Sequence, residues 1–213
     1  MSKIVEQLRK HLIAIKNKHL QMKILFLDFD GVVSTFEKGW RLDDEKLSLL
    51  KEIIDETNAK IVVSSSWKVG YDDVDKFIET LGGRRKSETI KNNGNMFQWF
   101  CNNIYDITDS NGPWRGDEIQ RWIVYHQDEI ETYVILDDDS DMRENQLFNF
   151  VQTDSYEGIT SREVKLCTKI LNHERIQNPI RLNLELTTKW RNNCKGLNNN
   201  ILSLLKEYYN KFA

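Results

Sequence analysis

The sequence predicts an α/β fold, a central parallel sheet flanked by helices with a minimal cap and extra helices at both ends. Three observations carry this. Short apolar runs recur at Ile24-Leu25-Phe26-Leu27, Ile61-Val62-Val63 and Tyr133-Val134-Ile135-Leu136. They are apolar throughout, as strands buried on both faces must be. Stretches of helical period separate them, and strand–helix alternation implies right-handed crossovers into a parallel sheet.

The elements follow in order. Residues 3–20 place Ile4, Leu8, Leu12 and Ile15 at helical spacing among Lys and Gln, an amphipathic helix. The first strand runs from Lys23 into Asp28-Phe29-Asp30-Gly31. Residues 43–57 predict a helix, with Leu47, Leu50, Ile53 and Ile54 on one face. The β-branched run 61–63 is the next strand and ends in Ser64-Ser65-Ser66-Trp67. A helix over 72–81 is expected to stop at Gly82-Gly83. Residues 84–114 are polar and Asn-rich, an irregular excursion with Met96, Phe97, Trp99 and Phe100 embedded and a short strand at 104–107. Arg115 opens a helix through Tyr125. The strand at 133–136 leads into Asp137-Asp138-Asp139, and Phe148–Val151 predicts one more strand. Helices at 160–172 and 197–211 complete the chain. The organisation is a helix at 1–21, a core at 22–170 and a basic helical extension at 171–213.

Composition sets limits. The 213 residues suit one domain with appendages, and 39% hydrophobic content supplies a core. No apolar run approaches the ~18 residues needed to span a bilayer. The start has no signal-peptide segment, and three cysteines without CxxC spacing fit a reducing cytoplasm. The net charge of −3 conceals a partition: residues 1–23 carry +5, residues 171–213 carry +4, and the middle carries −12. Basic ends of this kind can cover an acidic cleft, bind phosphates or meet the acidic core of a second copy.

The chemistry collects at the carboxyl ends of the predicted strands, where ligands bind in open parallel sheets. Asp28 and Asp30 follow one strand, Ser64 and Ser65 another, and Asp137 and Asp138 a third. Four carboxylates in one cleft would not all stay ionised, and a hard divalent cation removes that conflict. Mg²⁺ takes oxygen ligands and keeps room for a phosphate, so no histidine or cysteine is required. His11, His19, His126 and His173 lack ligand spacing and read as surface or packing residues.

These blocks resemble the haloacid dehalogenase (HAD) superfamily of phosphatases. Asp28-Phe29-Asp30-Gly31-Val32-Val33 is similar to its first motif, Ser64 to its second and Ile135-Leu136-Asp137-Asp138 to its fourth. A closer resemblance is to the HAD domain of Swiss army knife RNA-repair proteins. It rests on Ser64-Ser65-Ser66-Trp67, Arg115-Gly116-Asp117-Glu118-Ile119, the run from Tyr133 to Met142, Val151-Gln152-Thr153-Asp154 and Gly158-Ile159-Thr160. The resemblance spans about residues 22–170 and implies a Rossmann-like HAD core.

It also implies roles. Asp28 would be the nucleophile, giving an aspartyl-phosphate, and Asp30 would protonate the leaving oxygen and later activate water. Ser64, with Ser65, would hold a phosphate oxygen. Mg²⁺ would be held by Asp28, the Asp30 carbonyl and Asp137 or Asp138. Asp141 would either help position these ligands or cap a helix. The third-motif cation is Arg115, although the family more often carries Lys there; Arg85 and Lys86 compete for the role.

The short segments between motifs leave no room for a large cap, and by family analogy an open site accepts bulky substrates. Lid candidates are Phe36–Trp40, Met96–Phe100 and Asn111–Trp114. Trp40, Trp67 and Trp114 are candidate base-stacking residues, whereas Phe97, Trp99 and Phe100 read more simply as core. The expected activity is a Mg²⁺-dependent phosphomonoesterase acting on a nucleotide. The alternative substrate is a phosphorylated DNA or RNA terminus, and the contrasting class is a catalytically idle HAD scaffold. A membrane partner is not expected; self-association would use the terminal extensions.

Overall fold

The structure is a computed structural model that describes residues 21–39, 41–85 and 94–174. The predicted helices at 3–20 and 197–211, the lid residue Trp40, Lys86 and the side chain of Arg85 lie outside that description.

Five strands form one parallel sheet: β1 (Met22–Leu27), β4 (Lys60–Val63), β5 (Ile104–Ile107), β6 (Ile130–Asp137) and β7 (Phe150–Gln152), in the order β5-β4-β1-β6-β7. Two short strands, β2 (Ser34–Thr35) and β3 (Arg41–Leu42), pair antiparallel as a small flap just after β1. The helices are α1 (Asp44–Thr57), α2 (Val74–Arg85), α3 (Gly94–Asn103), α4 (Arg115–Tyr125) and α5 (Ser161–Leu171).

Central β1 shows why continuous apolar runs fit this sheet. Leu25 and Leu27 point to the face covered by α1, α3 and α5, where they meet Leu50, Ile53, Phe100, Val164 and Leu171. Ile24 and Phe26 point to the opposite face and pack with Ile119 and Trp122 of α4. Every side chain from Ile24 to Leu27 is fully buried. The Trp122 ring meets Phe26 edge-on at 5.4 Å, an arrangement that favours aromatic contact.

Caps fix the helix starts that the sequence suggested. The Asp43 carboxylate accepts the Glu45 N–H at 3.0 Å at the start of α1. Thr160 and Glu163 form a reciprocal capping box at the start of α5.

Three expectations are corrected. The helix placed at 72–81 runs from Val74 to Arg85, through Gly82-Gly83. Glycine inside a helix costs about 1 kcal/mol, and burial of Phe77 and Leu81 anchors the helix nearby. The excursion at 84–114 contains a second helix, α3, whose Phe100 is buried while Met96, Phe97 and Trp99 pack against the same core. These residues are packing rather than lid, because their helical spacing carries them onto the sheet despite the Asn-rich composition. The strand placed at 148–151 begins only at Phe150, since Glu144–Asn149 is a 3-10 turn. Among the described residues, no helix is long and apolar enough to cross a membrane.

Candidate active site

The sheet ladder continues one residue past each strand, and this brings the polar motifs together. The Asp28 N–H bonds Leu136 O at 3.0 Å, the Ser64 N–H bonds Leu27 O at 2.8 Å, and the Thr153 N–H bonds Asp137 O at 3.1 Å. Backbone pairing between apolar strands therefore sets the positions of Asp28, Ser64 and Asp137.

Asp28, Asp137 and Asp138 form a cluster in which one carboxylate oxygen from each lies within 4.8 Å of the others. Asp28 and Asp137 are buried, and Asp138 is half-buried. Burial pushes the Asp28 carboxyl up to about 6, against the lowering influence of Arg115 and a hydrogen bond from Ser65. Asp137 is raised well above the usual carboxylate range by burial, then by the charge of Asp28. Asp138 is raised by burial, partly offset by a hydrogen bond with Ser155. An all-oxygen donor set that resists ionisation by itself fits a hard divalent cation, whose charge would stabilise all three carboxylates.

Among the described residues, Arg115 is the cation that reaches this cluster. Its Nη2 lies 3.5 Å from Asp28 Oδ1 and its Nε 3.5 Å from Asp137 Oδ2. It opens α4, and the Asp141 carboxylate accepts its backbone N–H at 2.7 Å. Asp141 thus ties down the start of α4. Asp141 is not among the three clustered carboxylates, and its second oxygen is buried without a hydrogen-bond partner.

The Asp30 carboxylate also stands outside the cluster. Its Oδ2 accepts the Trp67 indole N–H at 2.9 Å, and its Oδ1 accepts the Ser34 hydroxyl at 3.3 Å. Trp67, expected to stack substrate, packs edge-on against Phe29 at 5.4 Å and commits its only side-chain donor to Asp30. It supports Asp30. Trp114, by contrast, is 58% exposed at the start of α4. Ser64 and Ser65 are buried, and the Ser65 hydroxyl also accepts the Trp67 backbone N–H at 3.4 Å.

Sequence reasoning missed Lys68. It is only 1% exposed, yet its Nζ sits 3.0 Å from Glu118 Oε2 and donates to the Asp109 carbonyl at 2.7 Å and to Ser110 Oγ at 3.2 Å. Burial lowers its pKa, and the hydrogen bond and charge of Glu118 oppose that. Glu118 Oε2 also lies 3.6 Å from Arg115 Nη1. A chain of alternating charge, buried except at half-buried Arg115, thus runs from Lys68 through Glu118 and Arg115 to Asp28 and Asp137. One local signal existed: Glu118 follows Arg115 by three residues, the spacing of helix neighbours. Nothing local announced the burial of Lys68.

No curated protein and no solved structure matches the chain. Comparison with family models does give a match: residues 24–164 fit the HAD domain in Swiss Army Knife RNA repair proteins. The matched span begins in β1 and ends in α5, so it takes in the sheet except the first two residues of β1, and every residue of the carboxylate–arginine cluster. On that match, the chain belongs to this HAD family.

Proposed function

We propose that the protein is a Mg²⁺-dependent phosphomonoesterase working through an aspartyl-phosphate, with a nucleotide as substrate. The observation that carries this is the Asp28 environment: a buried carboxylate beside a fixed arginine and two further carboxylates, with a supported Asp30 two residues on. Asp28 attacks phosphorus, and the bond to the ester oxygen breaks. Asp30 gives its proton to that oxygen, so the alcohol leaves neutral. Asp30 then takes a proton from water as the water oxygen attacks phosphorus, which releases inorganic phosphate and restores Asp28. Arg115 offsets the charge of the nucleophile and the phosphoryl group, and Ser64 and Ser65 donate to a phosphate oxygen. Asp28, Asp137 and Asp138 would hold Mg²⁺, which supplies charge neutralisation at the phosphoryl oxygens.

Gly31 bears on that ligand set. Its φ is +70°, and a Cβ there would lie 2.2 Å from Asp138 Oδ2. Gly31→Ala is therefore expected to displace Asp138 and to weaken Mg²⁺ binding about 10–100-fold, as read by calorimetric titration. The unfavourable backbone conformation adds ~1–2 kcal/mol of destabilisation, measurable in denaturant.

A second reading keeps the chemistry and changes the substrate to a phosphorylated RNA or DNA terminus. The family's description as a domain of RNA repair proteins favours it, as does the small flap that stands where a large cap would enclose a metabolite. One experiment tests both readings. The full chain is assayed for phosphate release from nucleoside monophosphates and from 3′- and 5′-phosphorylated oligonucleotides, with Mg²⁺ or with a chelator. Chelator-sensitive release is expected. Activity confined to mononucleotides would eliminate the end-repair reading. No release from any substrate would leave the idle scaffold.

A further inference from the structure

We propose that Trp67 is a positioning residue for proton transfer to the leaving group: its indole N–H fixes the Asp30 carboxyl so that the transferred proton sits on Oδ1. The inference rests on the phosphomonoesterase reading above and adds which oxygen of Asp30 acts and what holds it. Two side chains hydrogen-bond Asp30. The Trp67 indole N–H reaches Oδ2 at 2.9 Å, an ordinary N–H···O length. The Ser34 hydroxyl reaches Oδ1 at 3.3 Å, longer than the roughly 2.5–3.0 Å of a tight O–H···O bond.

The two partners also differ in kind. An indole N–H can only donate, whereas a hydroxyl can turn and accept. Oδ2 therefore keeps its acceptor role whether Asp30 is ionised or protonated, and a proton placed there would compete with the shorter bond. Oδ1 faces a group that suits both states. Ser34 donates to the ionised oxygen and turns to accept from the protonated one. As Asp28 attacks phosphorus and the ester P–O bond breaks, the electron pair stays on the leaving oxygen, which takes the proton from Oδ1. Asp30 is left ionised, with the Trp67 bond unchanged and the Ser34 hydroxyl donating again. In the second half-reaction Oδ1 takes a proton from the attacking water.

The indole is mounted firmly. Phe29, the residue between the two aspartates, is fully buried and meets the Trp67 ring edge-on at 5.4 Å. Phe29 is itself packed against Phe100 at 5.6 Å and Phe77 at 6.2 Å. Trp67 sits in a 3-10 turn closed by the Lys68 N–H to Ser65 O bond at 3.2 Å. Ser65 and Lys68 on either side of it are buried. The segment that carries Asp30 is closed as well. The Gly31 N–H donates to Ser34 O at 2.7 Å, and the Ser34 N–H donates to Phe29 O at 2.8 Å. A donor fixed at the end of β4 thus orients an acid fixed at the end of β1, 37 positions away. A dipole placed in advance needs no rearrangement when charge moves.

The test separates the donor from the packing. Trp67→Phe keeps a ring against Phe29 and removes the N–H. Trp67→His does the converse: imidazole Nε2 takes the place of indole Nε1 in the five-membered ring, and the six-membered ring is lost. The full chains are assayed with Mg²⁺ on p-nitrophenyl phosphate and on adenosine 3′- and 5′-monophosphate. The readout is kcat/KM, which reports the first half-reaction. p-Nitrophenolate leaves without a proton, whereas a sugar alkoxide needs one. The native chain is expected to hydrolyse p-nitrophenyl phosphate and at least one nucleotide. Trp67→Phe should lower kcat/KM for that nucleotide about 10- to 100-fold, a share of what a general acid contributes. It should leave p-nitrophenyl phosphate within about threefold. Trp67→His should unfold at lower urea than Trp67→Phe and yet keep a nucleotide-to-nitrophenyl ratio closer to the native one. If Trp67→Phe does not fold, the histidine variant decides alone, and a ratio lowered tenfold overturns the proposal. Equal losses on both esters, or a ratio that follows stability instead of the N–H, overturn the positioning role and leave the phosphatase. Release from p-nitrophenyl phosphate with neither nucleotide turned over does the same. No release from any ester removes the phosphatase reading and this role with it.

Discussion

Asp28→Asn is expected to abolish phosphate release, by roughly 10⁴- to 10⁶-fold, because an amide cannot form the acyl phosphate that divides the reaction. The same change should stabilise the metal-free protein. Asp28 is buried, and its carboxyl is pushed up to about 6 by burial. An acid whose folded pKa is raised binds more protons folded than unfolded, so its ionisation opposes folding. The stability of metal-free protein should fall as pH rises from about 4 to about 6 and carry the penalty above that. Replacing the acid with a neutral amide removes this contribution, about 1–3 kcal/mol at pH 7, with the loss of an Arg115 partner setting the low end. Thermal or urea unfolding at pH 4.5 and pH 7, in chelator, checks the sign. A variant both inactive and destabilised at pH 7 would mean that Asp28 is a structural ion-pair partner and would remove the case for a nucleophile.

Lys68→Met is expected to lower stability by about 3–5 kcal/mol, because it leaves Glu118 buried with its main countercharge gone. The remedy separates folding from positioning. Lys68→Met combined with Glu118→Leu replaces the buried pair with apolar side chains, and most of the lost stability should return. Activity should not return with it. Glu118 Oε2 is also the anion beside Arg115 Nη1, and without it the guanidinium that faces Asp28 and Asp137 loses a restraint. The double variant should unfold near the native midpoint and still show a kcat reduced about 10- to 100-fold. Urea melts and steady-state kinetics on the same preparations decide. Full recovery of kcat would show that the Lys68–Glu118 pair serves stability alone.

The parts of the site that were legible in the sequence share one property. Asp28, Ser64 and Asp137 each directly follow a run of apolar residues, and parallel pairing of those runs aligns their ends. The helix start at Arg115 was legible too, but not its distances of 3.5 Å to Asp28 and Asp137, which cross 87 and 22 positions of chain. The side chains of its competitors Arg85 and Lys86 lie outside the described residues. Trp67 shows the opposite case. A tryptophan beside a motif suits stacking and core packing alike, and only the structure shows its indole N–H taken by an aspartate 37 positions away. Helix α3 was missed because asparagine-rich composition speaks for loops, while burial of Phe100 against the sheet overrides that weak preference.

The sequence by itself determined the α/β class, the strands that carry the carboxylates and the family, since all three depend on local patterns repeated in a fixed order. Only the tertiary structure decided which groups face one another: Arg115 with Asp28 and Asp137, Trp67 with Asp30, and Lys68 with Glu118. The reason is physical. Strand and helix periods are set by neighbours a few residues apart, but the ionisation of a carboxylate and the partner of a buried lysine are set by burial and by charges brought close from distant parts of the chain.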